Sequence, residues 1–272
     1  MNGTAAGLAA ARLGAREAVT RGARLRILHV FAWPGMRYTD DPPDYASARH
    51  EAGRIVEEAV ATAARGVPGV RVEGLLVDGQ PVRELLRRSR TAGLLVLGAD
   101  GPPTGPRLPL DPVLVQIVSR ARCPVAVARG VRPPAGPLLA AVDDSPTSGP
   151  VLQLAAAEAR RRDVALELAH VVADDDRAPA GRRLLERAAA ACPDLGVRTS
   201  LLFGDPAPTL VRASRGARMM IVGPRGTGGC LLGAVAGELL RHCACPTLFV
   251  HGDPAGGGPA NDATPPAGAL TS

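Results

Sequence analysis

Short apolar runs and longer stretches of helical periodicity alternate along the second half of this chain. The runs LLAAV (138–142) and MMIVG (219–223) are apolar or glycine throughout, as expected of strands buried on both faces of a sheet. Between them lie segments such as GRRLLERAAAA (181–191), in which apolar and charged residues recur at helical spacing. Strand and helix therefore alternate, and this pattern predicts a parallel sheet with helices on both faces.

The same periodicity predicts the position of every strand and helix in this half. Strands are predicted at 138–142, 164–172, 197–203, 219–223 and 246–250, and helices at 147–162, 181–191, 205–215 and 231–243. Ser145 or Thr147 is positioned to cap the first helix, and Asp205 followed by Pro206 opens the third. A Gly-rich loop separates the fourth strand from the last helix.

An internal repeat shows that the first half is built in the same way. The segment LVDGQPVRELLRRSRTAGLLVLGADG at 76–101 matches LLFGDPAPTLVRASRGARMMIVGPRG at 201–226, and both glycine pairs are 125 positions apart. Two shorter pairs of segments also match, 25–30 with 166–171 and 121–128 with 243–250. A period this long indicates two homologous domains. The predicted units are a domain at 1–129, a Pro-rich linker at 130–137, a domain at 138–251 and a disordered tail at 252–272.

Composition excludes several classes of function. All 32 basic residues are arginine, so the chain has neither the lysine of a Walker A phosphate loop nor a lysine for Schiff-base chemistry. The formal charge of +6 favours anionic partners, but only 2% of residues are aromatic, too few for stacking single-stranded bases. No apolar run approaches the ~20 residues of a membrane helix. Five cysteines without a secretory signal fit a reducing compartment, and we expect a cytoplasmic protein that binds neither nucleic acid nor membranes.

Five segments of the second half together carry a resemblance to a known family: AVDDSP, AHVV, GDPAPTLVRAS, MIVGPRGTGG and LLGAVAGELLRHCACPTLFV. This half resembles the universal stress protein family over nearly its whole length, and the first half resembles it more loosely from Arg24 to Arg129. The resemblance implies two Rossmann-like α/β domains in tandem, each with a parallel sheet of the flavodoxin-type order 3-2-1-4-5. It also implies that the two domains pair with each other as the family's dimers do, and we expect a further homodimer.

Nucleotide-binding members of the family carry a strand-end Asp and the pattern Gly, two residues, Gly, nine residues, then Gly followed by Ser or Thr. Glycines let the backbone approach phosphates, and the amides at a helix start donate to them. In this sequence the resemblance makes Asp143 the strand-end Asp and places Val171 or Val172 against adenine. The cofactor-binding residues that it implies are Asp143, Ser145, Val171, Val172, Gly223, Gly226, Gly233 and Ala234.

Both phosphate loops depart from the family pattern. In the second domain only six residues separate Gly226 from Gly233, and Ala234 replaces the hydroxyl residue. In the first domain nine residues follow Gly101, but the next position is Asp111, a carboxylate that would repel a phosphate. We therefore expect no ATP binding by the first domain and at most weak ATP binding by the second.

The first domain also lacks its central strand. The chain begins in a predicted helix, and no segment corresponds to LLAAV at 138–142. Asn2-Gly3-Thr4 resembles the end of that strand's motif. The missing strand indicates either a chain that starts further upstream or a truncated domain.

Two other side-chain groups have alternative interpretations. Asp143, Asp144 and Ser145 form either a nucleophilic or metal-binding cluster or, as we favour, a strand-end turn with a helix cap. His242, Cys243 and Cys245 suggest a metal site, but they span a helix end and a strand start, so we expect no metal.

Three hypotheses for function follow. The first is a non-catalytic stress-response binding protein with paired domains, a degenerate nucleotide site and unknown protein partners. The second is a switch that binds ATP in the second domain only. The third is an enzyme related to adenylate-forming ligases, which is disfavoured because the chain has neither a His-rich adenylylation motif nor a Ser-Gly-Gly pyrophosphate loop.

Overall fold

The computed structural model describes residues 1–33, 44–99, 111–130, 135–224 and 232–251. The first domain contains α1 Ala5–Thr20, β1 Leu25–Phe31, α2 Tyr45–Gly66, β2 Val72–Asp78, α3 Pro81–Arg88, β3 Leu95–Gly98, α4 Pro112–Arg120 and β4 Val125–Ala128. The second contains β5 Leu138–Ala141, α5 Ser148–Arg162, β6 Leu166–Val172, α6 Ala178–Ala190, β7 Val197–Phe203, α7 Pro206–Ala213, β8 Met219–Val222, α8 Ala234–His242 and β9 Thr247–Phe249. Element type and order agree with the sequence pattern in both halves, and most bounds differ from the predicted ones by up to three residues.

The second domain forms one parallel sheet in the order β7-β6-β5-β8-β9. Numbered within the domain, this is the expected order 3-2-1-4-5. The central strand β5 pairs with β6 on one side and β8 on the other, and Leu138, Leu139 and Ala140 are at most 3% exposed. Helices cover both faces, so the inner strands β5 and β8 are buried on each side and are apolar throughout.

The first domain is divided at the place of its central strand. β1 pairs only with β2 in a two-stranded parallel sheet, whereas β3 pairs with β4 in the larger sheet. Among the described residues no strand lies between β1 and β3, as the sequence predicts. We call this space the β1–β3 gap, and helix α1 packs over it.

The two domains join edge to edge. β4 pairs with β9 in antiparallel register, with Val125 opposite Phe249, and this gives a sheet of seven strands across both domains. Arg129, at the end of β4, is buried and donates to the backbone carbonyl of Leu240 in the second domain. The described contacts between the two domains therefore include strand pairing and a buried side-chain hydrogen bond.

A buried ring of charges also links the first helices of the two domains. Glu17 of α1 and Glu158 of α5 lie 141 positions apart, as do Arg21 and Arg162. Arg162 pairs with Glu17 at 2.6 Å, and Arg21 pairs with Glu158 at 2.8 Å. Within each helix the same residues pair at i,i+4, so the four side chains form a closed ring with approximate two-fold symmetry. Glu158 is fully buried, and Glu17 is 5% exposed.

One helix cap differs from expectation. Asp205 caps α7 as predicted, since its side chain accepts from the amide of Ala207. Thr147 is the N-cap residue of α5, but its side chain makes no capping hydrogen bond. Instead, the Thr147 hydroxyl lies 2.9 Å from that of Ser145, which is buried.

In the described part of the chain, no helix has both the length and the apolar character that crossing a membrane requires.

Candidate functional site

The predicted site residues of the second domain converge at one edge of the sheet. Asp143 follows β5, Val171 and Val172 end β6, and Gly223 follows β8. Because β5 lies between β6 and β8 and all three are parallel, their carboxyl ends meet at the same edge. In open α/β sheets this edge is the usual ligand crevice.

Asp143 organises the turn that leaves the central strand. Its Oδ1 accepts from the amide of Ser145 at 3.0 Å and from the hydroxyl of Ser148 at 2.8 Å. The carboxylate remains exposed on its outer side. These contacts are those of the strand-end turn that the sequence favoured over a nucleophilic cluster.

The two valines at the end of β6 have different surroundings. Val172 is buried and packs beneath α6, where a Cβ on Gly181 would lie 3.0 Å from its Cγ1. Val171 is half-buried on the face that carries α7. Of the two, Val171 is the one accessible to a base in the crevice. His170 bonds through Nδ1 to the carbonyl of Val142 at 2.8 Å, which ties the ends of β5 and β6 together.

The ends of the shortened phosphate loop are held close together. The amide of Gly233 donates to the carbonyl of Pro224 at 2.9 Å, so the loop closes directly behind Gly223. Gly233 is the N-cap residue of α8, and Ala234 is the first helical residue and exposed. No side chain caps this helix, and its first turn has no acidic residue. The start of α8 is thus suited to an anion. Gly226 lies outside the described residues.

The corresponding helix start in the first domain is already occupied. Asp111 is the N-cap residue of α4, and its carboxylate accepts from the amide of Val113 at 2.8 Å. A negative charge therefore stands where the second domain has Gly233. Gly101 lies outside the described residues, and Gly98 touches α1 so closely that a Cβ would lie 2.1 Å from the Ala6 carbonyl oxygen.

Asn2 takes the place of the strand-end Asp in the first domain. Its Oδ1 accepts from the amide of Thr4 at 3.3 Å, as Asp143 accepts from Ser145. The resemblance of Asn2-Gly3-Thr4 to the motif end is therefore reflected in its hydrogen bonding. The amide side chain carries no charge.

The cysteine pair at the end of α8 is buried and not arranged around a metal. The two Sγ atoms of Cys243 and Cys245 are 3.8 Å apart. The hydrogen bond with Cys245 lowers the pKa of Cys243, and the same bond, with burial, raises the pKa of Cys245. His242 instead faces Glu238 at 3.7 Å. Within the described ranges no three His, Cys, Asp or Glu side chains are placed to share a metal ion.

One cluster was missed in the sequence. Phe31, Trp33 and Tyr45 pack together with ring centroids 5.4–5.9 Å apart at the end of β1 and the start of α2. The Tyr45 hydroxyl donates to Asp78 at 2.8 Å, and this bond raises the pKa of Tyr45. Arg49 also pairs with Asp78 and holds the pKa of that carboxyl down. Beside the cluster lies an open concavity of about 460 Å³. The sequence signal that could have revealed this cluster is the closeness of these three residues along a chain that has only six aromatic residues.

The fold and this strand-end crevice define a class of protein: two tandem α/β domains, each with the sheet order of a nucleotide-binding fold or a remnant of it. The profile of the universal stress protein family matches residues 1–129 and 135–251. This chain belongs to the universal stress protein family.

Its relatives share the tandem length. A universal stress protein of Mycobacterium tuberculosis is 32% identical over 275 residues, which cover 89% of this chain and 92% of the relative. One of Mycolicibacterium smegmatis is 28% identical over 272 residues, with the same coverage. The crystal structure of a universal stress protein from Archaeoglobus fulgidus has the same fold, with a TM-score of 0.70 at 19% identity, and the match covers 90% of this chain and 93% of that one.

Proposed function

We propose that this protein is a non-catalytic, nucleotide-responsive binding protein in which only the second domain takes up an adenine nucleotide such as ATP. The nucleotide would lie at the carboxyl ends of β5, β6 and β8. Asp143 and Val171 would contact the nucleoside, and the start of α8 at Gly233 and Ala234 would receive the phosphates. The protein would work in the cytoplasm through partners that recognise one state of the domain pair.

The observation that carries this proposal is the contrast between two equivalent helix starts. At α4 the carboxylate of Asp111 already accepts from a first-turn amide and carries the negative charge that the helix dipole favours. At α8 the N-cap is glycine, and no side chain makes a capping bond. A phosphate can therefore be stabilised at α8 and would be repelled at α4.

Binding at this site is expected to be weak. The hydroxyl that would follow the third glycine is replaced by Ala234, and one lost neutral donor costs about 0.5–1.5 kcal/mol. The loop that closes behind Gly223 is three residues shorter than the family pattern, which leaves fewer backbone amides to surround the phosphates. Micromolar to millimolar affinity is consistent with such a site.

Gly233→Asp tests this proposal because it gives α8 the cap that α4 already has. Gly233 has a φ of −67°, so a side chain fits without backbone strain. We expect Gly233→Asp to weaken ATP binding at least about ten-fold, because the new carboxylate faces the phosphates. Gly233→Asn, which can cap the helix without a charge, should retain most of the affinity. Titration calorimetry with ATP and magnesium measures both.

Asp111→Asn provides a control in the first domain and should leave the stoichiometry at one nucleotide per chain, because that domain also has the neutral Asn2 in the place of Asp143. Equal affinity in Gly233→Asp and Gly233→Asn would show that phosphates do not lie at α8. No heat with the unaltered protein at millimolar ATP, with an unchanged melting temperature, would favour a protein that acts through partners alone. Turnover of ATP by the purified protein would contradict the non-catalytic proposal.

A further inference from the structure

Two equivalent side chains bond across the junction of the domains. Arg129, after β4, donates to the carbonyl of Leu240 in α8, and His251, after β9, bonds through Nε2 to the carbonyl of Val118 in α4. His251 and Leu240 both lie 122 positions after their counterparts, the offset that also relates 121–128 to 243–250. The junction therefore has two corners related by approximate two-fold symmetry.

The corner at Arg129 contains two thiols. Burial lowers the pKa of Arg129, and negative charge on Cys243 and Cys245 acts in the opposite direction, so both sulfurs lie near the guanidinium. Both cysteines are 0% exposed, and their Sγ atoms are 3.8 Å apart, close to van der Waals contact. At the equivalent positions the first domain has Ala121 and Cys123, and so a single thiol.

The turn that carries these positions is the same in both domains. The amide of Ala244 donates to the hydroxyl of Ser214 at 2.9 Å, and in the first domain the amide of Arg122 donates to the hydroxyl of Ser89 at 3.0 Å. The turn therefore forms without a second thiol, and its geometry does not depend on Cys243.

Arg129 has no carboxylate beside it. The residue is 7% exposed, and its Nε has no hydrogen-bond partner. Among the described residues, the acidic groups that act on its charge are the thiols of Cys243 and Cys245. The carbonyl of Leu240, in the last turn of α8, offsets only a part of the charge. A buried cation in this position favours a thiolate next to it.

Hydrogen bonding gives the two thiols different protonation states. The hydrogen bond with Cys245 lowers the pKa of Cys243, and the hydroxyls of Thr247 and Ser214 act in the same direction. The same bond, with burial, raises the pKa of Cys245, just as burial raises the pKa of Cys123 to about 11. Cys243 is therefore the thiolate of the pair, and Cys245 retains its proton.

We propose that Cys243 and Cys245 are a redox pair that hydrogen peroxide oxidises to a disulfide, with Arg129 stabilising the Cys243 thiolate. The Cys243 sulfur attacks one peroxide oxygen, the O–O bond breaks, and the leaving hydroxide takes up a proton to become water. Cys245 then attacks the sulfur of the sulfenic acid, the S–S bond forms, and a second water leaves. Two thiols and one hydrogen peroxide give one disulfide and two waters.

Burial restricts the size of the oxidant. Both sulfurs are 0% exposed, so the oxidant has to pass between closely packed side chains. Hydrogen peroxide has only two heavy atoms, whereas tert-butyl hydroperoxide carries a branched alkyl group. We therefore expect the pair to react at least about ten-fold faster with hydrogen peroxide than with tert-butyl hydroperoxide.

Peptide mass spectrometry of the full-length protein tests the proposal. After treatment with hydrogen peroxide, the chain is denatured, alkylated and cleaved with trypsin. Fragment 242–272 then carries both Cys243 and Cys245, and fragment 123–129 carries Cys123 alone. We expect fragment 242–272 to lose two hydrogen atoms and its reaction with the alkylating agent at least about ten-fold faster than Cys123 is oxidised. Dithiothreitol should restore both thiols.

Three variants separate the roles of the residues. Cys243→Ala copies Ala121 of the shared turn, so it should fold and should leave Cys245 as unreactive as Cys123. Arg129→Gln removes the cation and should slow disulfide formation at least about ten-fold. Arg129→Lys keeps the charge and should retain most of the rate. Circular dichroism confirms that each variant is folded.

Four results would overturn the proposal. One is oxidation of fragment 242–272 no faster than that of Cys123, and another is an equal rate in folded Arg129→Gln and the unaltered protein. A product with oxygen on one cysteine and no disulfide would show that Cys245 does not react with the sulfenic acid. Equal rates with the two peroxides would show that the reaction takes place in an opened chain and not in the buried pair.

Discussion

Glu158→Gln is expected to lower the free energy of unfolding by about 3–5 kcal/mol, because it removes the fully buried counter-charge of the partly buried Arg21 and Arg162. Glu158 is fully buried and pairs with Arg21, Arg161 and Arg162. Removing a single charge from a buried ring costs more than the ring contributes as a whole, since desolvation of the remaining cations is no longer offset. The substitution should weaken the contact between α1 and α5. Because this contact joins the two domains, both should lose stability.

Urea denaturation measures this effect with two probes. Far-UV circular dichroism follows the whole chain, and fluorescence of Trp33, the single tryptophan, follows the first domain. Glu51→Gln is the matched control, because the Glu51 side chain is 61% exposed and its ion pair among the described residues is with Arg54 in the same helix. It should change stability by less than about 0.5 kcal/mol. Equal effects of the two substitutions would show that the ring is not buried in solution.

Phe249→Ala is expected to cost about 3–5 kcal/mol, the usual range for emptying a fully buried phenylalanine site. Phe249 is 0% exposed and lies opposite Val125 where β9 meets β4. The cavity would therefore open at the junction of the two domains. Because the strands pair across this junction, the unfolding of the first domain should respond to a substitution made in the second.

Trp33 fluorescence again tests whether the two domains unfold together or independently. We expect Phe249→Ala to lower the urea midpoint seen by Trp33 as well as that seen by circular dichroism. Phe203→Ala is the control, since Phe203 is 45% exposed at the end of β7, far from the junction in strand order. Its cost should be below about 1 kcal/mol. If Phe249→Ala leaves the urea midpoint measured by Trp33 fluorescence unchanged, the two domains unfold independently.

The periodicity and the internal repeat were sufficient to predict the elements and their order. Short apolar runs such as 138–142 can be buried on both faces only in a sheet covered by helices, so local pattern and architecture agree. The repeat alone also predicted that no segment of the first half corresponds to 138–142, and among the described residues no strand lies between β1 and β3. The strand order and the pairing of the domains came from the family resemblance.

The residues of the candidate site came from the sequence and the family resemblance, and the structure adds how those residues pack. The family resemblance assigned Asp143, Gly223 and Gly233 to one candidate crevice, yet it left Val171 and Val172 as alternatives. Only packing distinguishes them, because Val172 is covered by α6. The damage to the first site was predicted from Asp111, and the structure adds that this carboxylate itself accepts from the helix start.

By itself, the sequence determined that this protein consists of two homologous α/β domains of the universal stress protein family. Those properties follow from the local pattern of apolar and polar residues, which each short segment shows by itself, and from the internal repeat. Only the tertiary structure brought Glu17 to Arg162 and Glu158 to Arg21. It alone joined β4 to β9 in antiparallel register across the two domains. Contacts of this kind depend on how two domains pack, and long-range packing leaves no periodic signal along the chain.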